Sequence, residues 1–252
     1  MGTADLHIHT LYSWDGTCSV RAVLKHAAHT VRLDVLAITD HDEVRGALEA
    51  AELAPRYGIE VIPGSEISTA DGHLLALFIR EKIPAGLSLS ETVLRVGEKG
   101  GICIVPHLEA RGTPSVQRRV LQEALKDPNV RHTLLGIETF NAGLVDKASN
   151  LKAAAAGREL PLAWIGSSDS HTLWMTGRAV TLFQGHTSVD LIQAIQQRQT
   201  VPLIVKEISA AGLLAGWARG YLLRRAGWVE YNRHPEAPVR LERIPSLARF
   251  VS

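Results

Sequence analysis

The sequence predicts an α/β chain: a mostly parallel sheet with helices outside it, open or closed into a barrel. Two observations carry this. Short apolar runs recur along the 252 residues, and most are followed by a longer segment with helical spacing. His, Asp and Glu residues cluster at the C-terminal ends of those runs, the face on which parallel α/β barrels gather their active sites.

Strands are expected at 5–9, 35–39, 60–63, 73–79, 102–105, 135–139, 162–166 and 179–183. Helices, rich in Ala, Leu and charge, are expected at 20–30, 43–56, 89–98, 116–125, 145–156 and 189–197. Gly58, Gly100 and Gly157 stand where helices should stop. The link from Glu66 to His73 is too short for a helix, so one unit departs from strict alternation.

Composition narrows the class. Hydrophobic residues make up 46% and charged residues 21%, ordinary for a globular chain with a sizeable core. The net charge of +1 gives no overall reason to expect a nucleic-acid or membrane partner. It hides an asymmetry: residues 206–252 carry eight Lys or Arg against four Asp or Glu, a charge of +4, which leaves 1–205 at −3. Two cysteines, Cys18 and Cys103, supply no disulfide framework, and Cys103 reads as a buried strand residue. The N-terminus resembles no signal peptide, and no apolar stretch is long enough to span a bilayer. A cytoplasmic setting is therefore expected.

The eleven histidines matter by position. His7 and His9, two apart on a strand, share a face and make a partial metal site. Asp15 lies in YSWDG, where Asp-Gly is also a common turn pair. Asp40 and His41 follow a buried run, where a helix cap and a loop histidine are the ordinary alternatives. Glu66 follows a turn signal, His73 opens an apolar strand, His107 follows Pro106, and Asp169 and His171 close WIGSSDSH. Each has a bland reading alone. Together, six separate segments aim a His, Asp or Glu toward one rim. His26, His29, His132, His186 and His234 complete no strand and read as solvated or structural.

At these residues the sequence resembles the PHP (polymerase and histidinol phosphatase) phosphoesterases: DLHIHT with YSWDG, then AITDH, PGSEIS, GHLL, VPH and GSSDSH, in order, over roughly residues 4–184. The resemblance implies a distorted seven-stranded (β/α) barrel holding two or three divalent ions of zinc, manganese or iron. It implies hydrolysis of phosphate mono- or diesters. By position, His7, His9, Glu66 and Asp169 match the ligands of a first metal. Glu66 would bridge to a second, held also by His73 and His107, and Asp15, His41 and His171 match a third. Asp40 matches a carboxylate that orients a neighbouring ligand. Paired metals suit this chemistry because they neutralise phosphate oxygens and lower the pKa of a bound water toward 7, so that hydroxide can attack.

A cation should also meet the phosphate. Arg111, four residues after His107, is the first candidate and Arg178 the second; either can equally be a surface arginine. Trp14 and Trp174 flank site residues and either stack on a base or sugar or cover the core. Residues 206–252 are expected as a helical and irregular appendage to a domain spanning 1–205. Within it, 207–228 reads as a basic helix that covers the barrel or makes an oligomer contact, with membrane-surface or nucleic-acid contact as alternatives; 229–252 reads as irregular. The expected substrate is a small phosphorylated metabolite, a nucleotide or sugar phosphate, without a stable nucleic-acid partner; the oligomeric state is left open. The rival readings are an amidohydrolase, which also begins with HxH on a barrel strand, and a non-catalytic metal-binding accessory module.

Overall fold

The computed structural model describes residues 1–226. Nine strands form one sheet: β1 Gly2–Asp5, β2 Val35–Ile38, β3 Glu60–Thr69, β4 Gly72–Leu77, β5 Ile102–Val105, β6 Leu134–Asn141, β7 Ala163–Ser167, β8 Ala179–Phe183 and β9 Val201–Ile204. Their order is β7-β6-β5-β4-β3-β2-β1-β8-β9. Nine strands replace the expected seven because β8 and β9 join antiparallel beyond β1. The sheet curls nearly shut: past Asp5 the chain pairs Ile8 with Ser170, just after β7. His9 N–H donates to the Ser170 carbonyl at 2.8 Å, and Ser170 N–H donates to that of His7. The seam between the sheet's ends therefore runs through the HxH segment. This also explains why β1 lies earlier than 5–9.

The short link after Glu66 is a hairpin. β3 and β4 pair antiparallel, with Ser68 opposite His73, so His73 shares a face with Glu66. Glu66 thus lies within a long strand rather than after a short one. The helices are α1 Val20–His26, α2 Arg45–Leu53, α3 Leu89–Glu98, α4 Arg118–Ala124, α5 Pro128–Thr133, α6 Ala148–Glu159, α7 Ser188–Gln196 and α8 Ala210–Arg225. Gly58 and Gly100 adopt positive φ at helix ends, as the sequence suggests. Gly157 does not end a helix. It lies inside α6, where a Cβ would come within 2.8 Å of Thr139 and 3.0 Å of the Trp164 ring, so close packing explains it.

The parallel strands are buried on both faces, as their apolar runs require. In β2, Val35 and Ala37 pack into a core with Ile62, Leu75, Ile104 and Ile165, which Leu191 and Ile195 of α7 also join. Leu36 and Ile38 pack instead under α1 and α2, against Val23, Leu24, Ala47 and Ala50. Among the described residues no helix is long and apolar enough to cross a membrane.

Candidate metal centre

The segments after or within β1, β2, β3, β4, β5 and β7 bring the expected polar residues to one place. Glu66 is its hub. Its Oε2 lies 3.1 Å from His7 Nε2, 3.2 Å from His9 Nε2 and 3.3 Å from His41 Nδ1. Its Oε1 lies 2.9 Å from His73 Nδ1 and 3.0 Å from His107 Nε2. Asp169 Oδ1 is 3.5 and 3.4 Å from the same nitrogens of His7 and His9. Asp15 Oδ2 sits 2.9 Å from His171 Nε2 and 3.3 Å from His41 Nε2. All nine expected ligands are thus gathered, and three overlapping groups, His9 with Asp15, His41 and His171, His7 with His9 and Glu66, and His41 with Glu66 and His73, have ligand atoms close enough to share an ion.

Two observations test whether cations fit. Atoms bound tetrahedrally at about 2.0–2.2 Å from one ion stand about 3.3–3.5 Å apart, close to the separations among His7, His9, Glu66 and Asp169. In addition, His9 Nε2, His41 Nδ1 and His73 Nδ1 are buried without a hydrogen-bond partner, although each lies near a Glu66 oxygen. A buried nitrogen without a partner is costly. Lone pairs converging on a cation would relieve that cost.

Outer contacts fix the tautomers. His7 Nδ1 donates to Glu138 Oε1 at 2.9 Å, His107 Nδ1 meets Ser115 Oγ at 3.1 Å and His171 Nδ1 donates to the Asp169 carbonyl at 2.9 Å. In each, Nε2 is left facing the centre. Glu138 was not foreseen. It is fully buried, also accepts from the His107 backbone N–H at 3.0 Å and takes an Asn141 amide hydrogen at 2.9 Å. Asn141 in turn donates to Asp169 Oδ2 at 3.1 Å. A carboxylate inside the apolar run LLGIETF was the available signal. Because Glu138 orients His7 without entering the centre, Glu138→Gln should weaken metal affinity or activity by 10- to 100-fold. Unchanged metal titration would remove it from that role.

The backbone is strained at two of the expected ligands: φ is +32° at His107 and +50° at Asp169. Such positions cost roughly 1–3 kcal/mol each and persist where surrounding structure fixes them.

Charge balance follows from burial. Burial alone would push Glu66 upward, yet the His7, His41 and His73 imidazoles hold its carboxyl well below the usual range. Asp169 is held low by His7 and His9 against the same burial effect. Burial pulls His9 down, but Asp169 and Glu66 outweigh it and raise its pKa from 6.5 to about 10; His7, His73 and His171 also move up. Without cations, protons take their place. With folded values above the unfolded one, that protonation stabilises the stripped protein fully below about pH 6.5 and is lost as pH rises toward 10. The melting temperature of stripped protein should therefore fall across that window, whereas added Mn²⁺ or Zn²⁺ should hold it up. A flat profile in stripped protein would contradict the balance.

Two expectations need correction. Asp40 touches no expected ligand directly: it accepts from Thr10 N–H at 2.6 Å and from Thr10 Oγ1 at 2.7 Å, anchoring the turn beyond His9, and burial raises its pKa to about 6. Arg178 does not line the cavity over the centre. Its Nε donates to the Trp174 carbonyl at 2.7 Å and its guanidinium stacks on that indole. Trp174 takes the covering one of its two readings: it lies outside the cavity lining, under α8, where a Cβ on Gly216 would come within 3.1 Å of its ring. Arg111 and Trp14 do line the cavity, which has a volume of about 1390 Å³. His26, His29, His132 and His186 stay outside the centre, while His234 lies outside the described residues.

The PHP domain model matches residues 5–142, and a PHP-associated model matches 147–200. This chain belongs to the PHP family. The uncharacterized protein MJ1587 of Methanocaldococcus jannaschii is 38% identical over 172 residues, which cover 63% of this chain and 93% of that protein. A phosphoribosyl 1,2-cyclic phosphate 1,2-diphosphodiesterase of Eggerthella lenta is 36% identical over 96 residues, 36% of each chain. A 5′-3′ exoribonuclease of Haemophilus influenzae is 36% identical over 115 residues, 44% of this chain and 41% of that one. The relatives with named activities are thus matched over less than half their length. In fold, the PHP chain resembles a two-domain protein from Bacteroides vulgatus containing a predicted PHP-like metal-dependent phosphoesterase. The TM-score is 0.63 at 20% identity, covering 80% of this chain and 64% of that one.

Proposed function

We propose that this PHP protein, a metal-dependent phosphoesterase, hydrolyses phosphate mono- or diesters of a small metabolite, a nucleotide or sugar phosphate, in a cytoplasmic setting. The observation that carries the reading is Glu66: one carboxylate with five imidazoles within 3.3 Å, divided between its two oxygens. In this reading His7, His9, Glu66 and Asp169 hold one divalent cation; Glu66, His73 and His107 a second; and Asp15, His41 and His171 a third. Zinc, manganese and iron suit such mixed His and carboxylate donors. Bound there, divalent cations would supply the charge that neutralises phosphate oxygens and the acidity that makes hydroxide available near neutral pH.

The chain's own residues supply the rest. Glu138, Ser115 and the Asp169 carbonyl keep three imidazoles in the tautomer that turns Nε2 inward. Arg111, on the cavity wall beyond His107, binds the phosphate. Arg111→Ala should cost roughly 2–4 kcal/mol of transition-state stabilisation, the loss typical of one such donor. Metal content and melting temperature should stay level. A kcat/KM within about threefold of the parent would make Arg111 a surface residue.

Residues 1–205 form the catalytic domain in this reading, with 206–252 appended; α8, its described portion, packs on the barrel through buried Leu213. The −3 charge of 1–205 offers no extended basic groove for a polymer. Phosphate release from mononucleotides, sugar phosphates and oligonucleotides by metal-loaded protein tests the reading. Small esters should be cleaved faster. A preference for oligonucleotides, such as the exoribonuclease relative suggests, would overturn the substrate class.

A further inference from the structure

Past β9 the chain returns to the mouth of the metal centre as α8. Leu213 is buried with Ala142, Met175 and Ile208, fastening one end of the helix. Gly216 and Gly220 follow on the packed side, where Cβ atoms would come within 3.1 Å of Trp174 and 2.9 Å of Thr17. Their lack of side chains brings the helix against the rim, despite the helix propensity they cost. The residue after each glycine, Trp217 and Tyr221, lines the cavity, as does Arg225. These three recur every four residues, about 6 Å apart along the axis, and form one stripe facing the site.

Trp217 is not a core residue, since 40% of it remains exposed. Its ring lies 6.5 Å from that of His171, edge-on at 69°. On the other side of the Asp15–His41–His171 group, Trp14 stacks on His41 at 5.6 Å and 23°, and it is 59% exposed. Two open indoles from distant parts of the chain therefore flank the same cation-binding group, inside a cavity larger than a sugar phosphate needs.

We infer that α8 is the substrate-selecting wall of the centre, and that Trp217 receives the planar base of a nucleotide whose phosphate faces the Glu66 cluster. This rests on the phosphoesterase reading for the position of the phosphate. Stacking on an indole takes any base, because every base has a π-face, and a sugar phosphate gains little from it. The selection is for a nucleoside phosphate as a class.

Quenching of tryptophan fluorescence gives Kd for adenosine 5′-monophosphate and ribose 5-phosphate in metal-loaded protein, independently of turnover when read within the first seconds. The parent should bind the nucleotide at least tenfold more tightly. W217A should collapse that ratio to within about threefold, and W217F should keep most of it. W217L, which retains bulk against the rim, should behave like W217A and guards against a helix that simply detaches. A ratio near one in the parent, or one unchanged in both W217A and W217L, overturns the assignment. If the ratio behaves as expected but neither ester is hydrolysed, the phosphoesterase reading fails while the base site stands. If both esters are hydrolysed with no preference in binding, the reverse holds.

Discussion

Glu66→Gln should lower kcat/KM by roughly 10⁴-fold, about 5 kcal/mol, with the fold retained. The substitution keeps the shape of the side chain and removes the charge that five imidazoles surround. A carboxylate can offer an anionic oxygen to each of two cations, whereas an amide offers one neutral oxygen and turns an N–H₂ toward the other. Here that N–H₂ would face either His7, His9 and His41 or His73 and His107. Metal content should fall by at least one ion per chain. Activity within tenfold of the parent, at measured and equal metal content, would mean the two halves of the centre do not depend on this residue.

Asp169→Asn should be nearly as damaging, roughly 10³-fold or more. Asp169 Oδ1 faces His7 and His9, while Oδ2 accepts from Asn141. An asparagine cannot serve both directions. With its oxygen toward the imidazoles, its N–H₂ opposes the Asn141 donor; turned over, it points hydrogens at the cation group. His9→Ala should likewise abolish hydrolysis, since His9 touches the first group and stacks between those of the third, 4.7 Å from His41 and 4.4 Å from His171. Both variants are to be compared after metal stripping and measured reloading, with circular dichroism as the check on folding. Full activity in either removes that residue from the mechanism.

Most of the proposed ligand set was legible because it follows strand ends. His41, His107, Asp169 and His171 come just after buried runs, and an apolar run that stops at a His or Asp is visible in one sequence. Glu66 and His73 were legible as residues but not as geometry. Their pairing depends on β3 continuing to Thr69 before the hairpin, which the PG turn signal at Pro63-Gly64 disguised. The contact Asp40 makes was not legible, because proximity in sequence to His41 says nothing about where a carboxylate points; it turns to Thr10, thirty residues away. Glu138 escaped because it sits mid-strand, where its partners His7 and His107 are supplied by other strands. β9 was missed for a different reason: VPLI is short, contains a proline and is largely exposed, as an edge strand can be. The contribution of α8 to the cavity lay beyond local pattern, since the glycines that weaken it as a helix are what let it approach the rim.

Two cations joined through the two oxygens of Glu66 would be magnetically coupled, and Mn²⁺ reads this directly. Stripped protein reloaded with manganese should hold two or three ions per chain by elemental analysis. Its electron paramagnetic resonance spectrum should be that of an exchange-coupled pair, reverting to an uncoupled signal in Glu66→Gln. Occupancy below one ion per chain, or an uncoupled spectrum identical in parent and variant, would contradict a shared carboxylate at the heart of this centre.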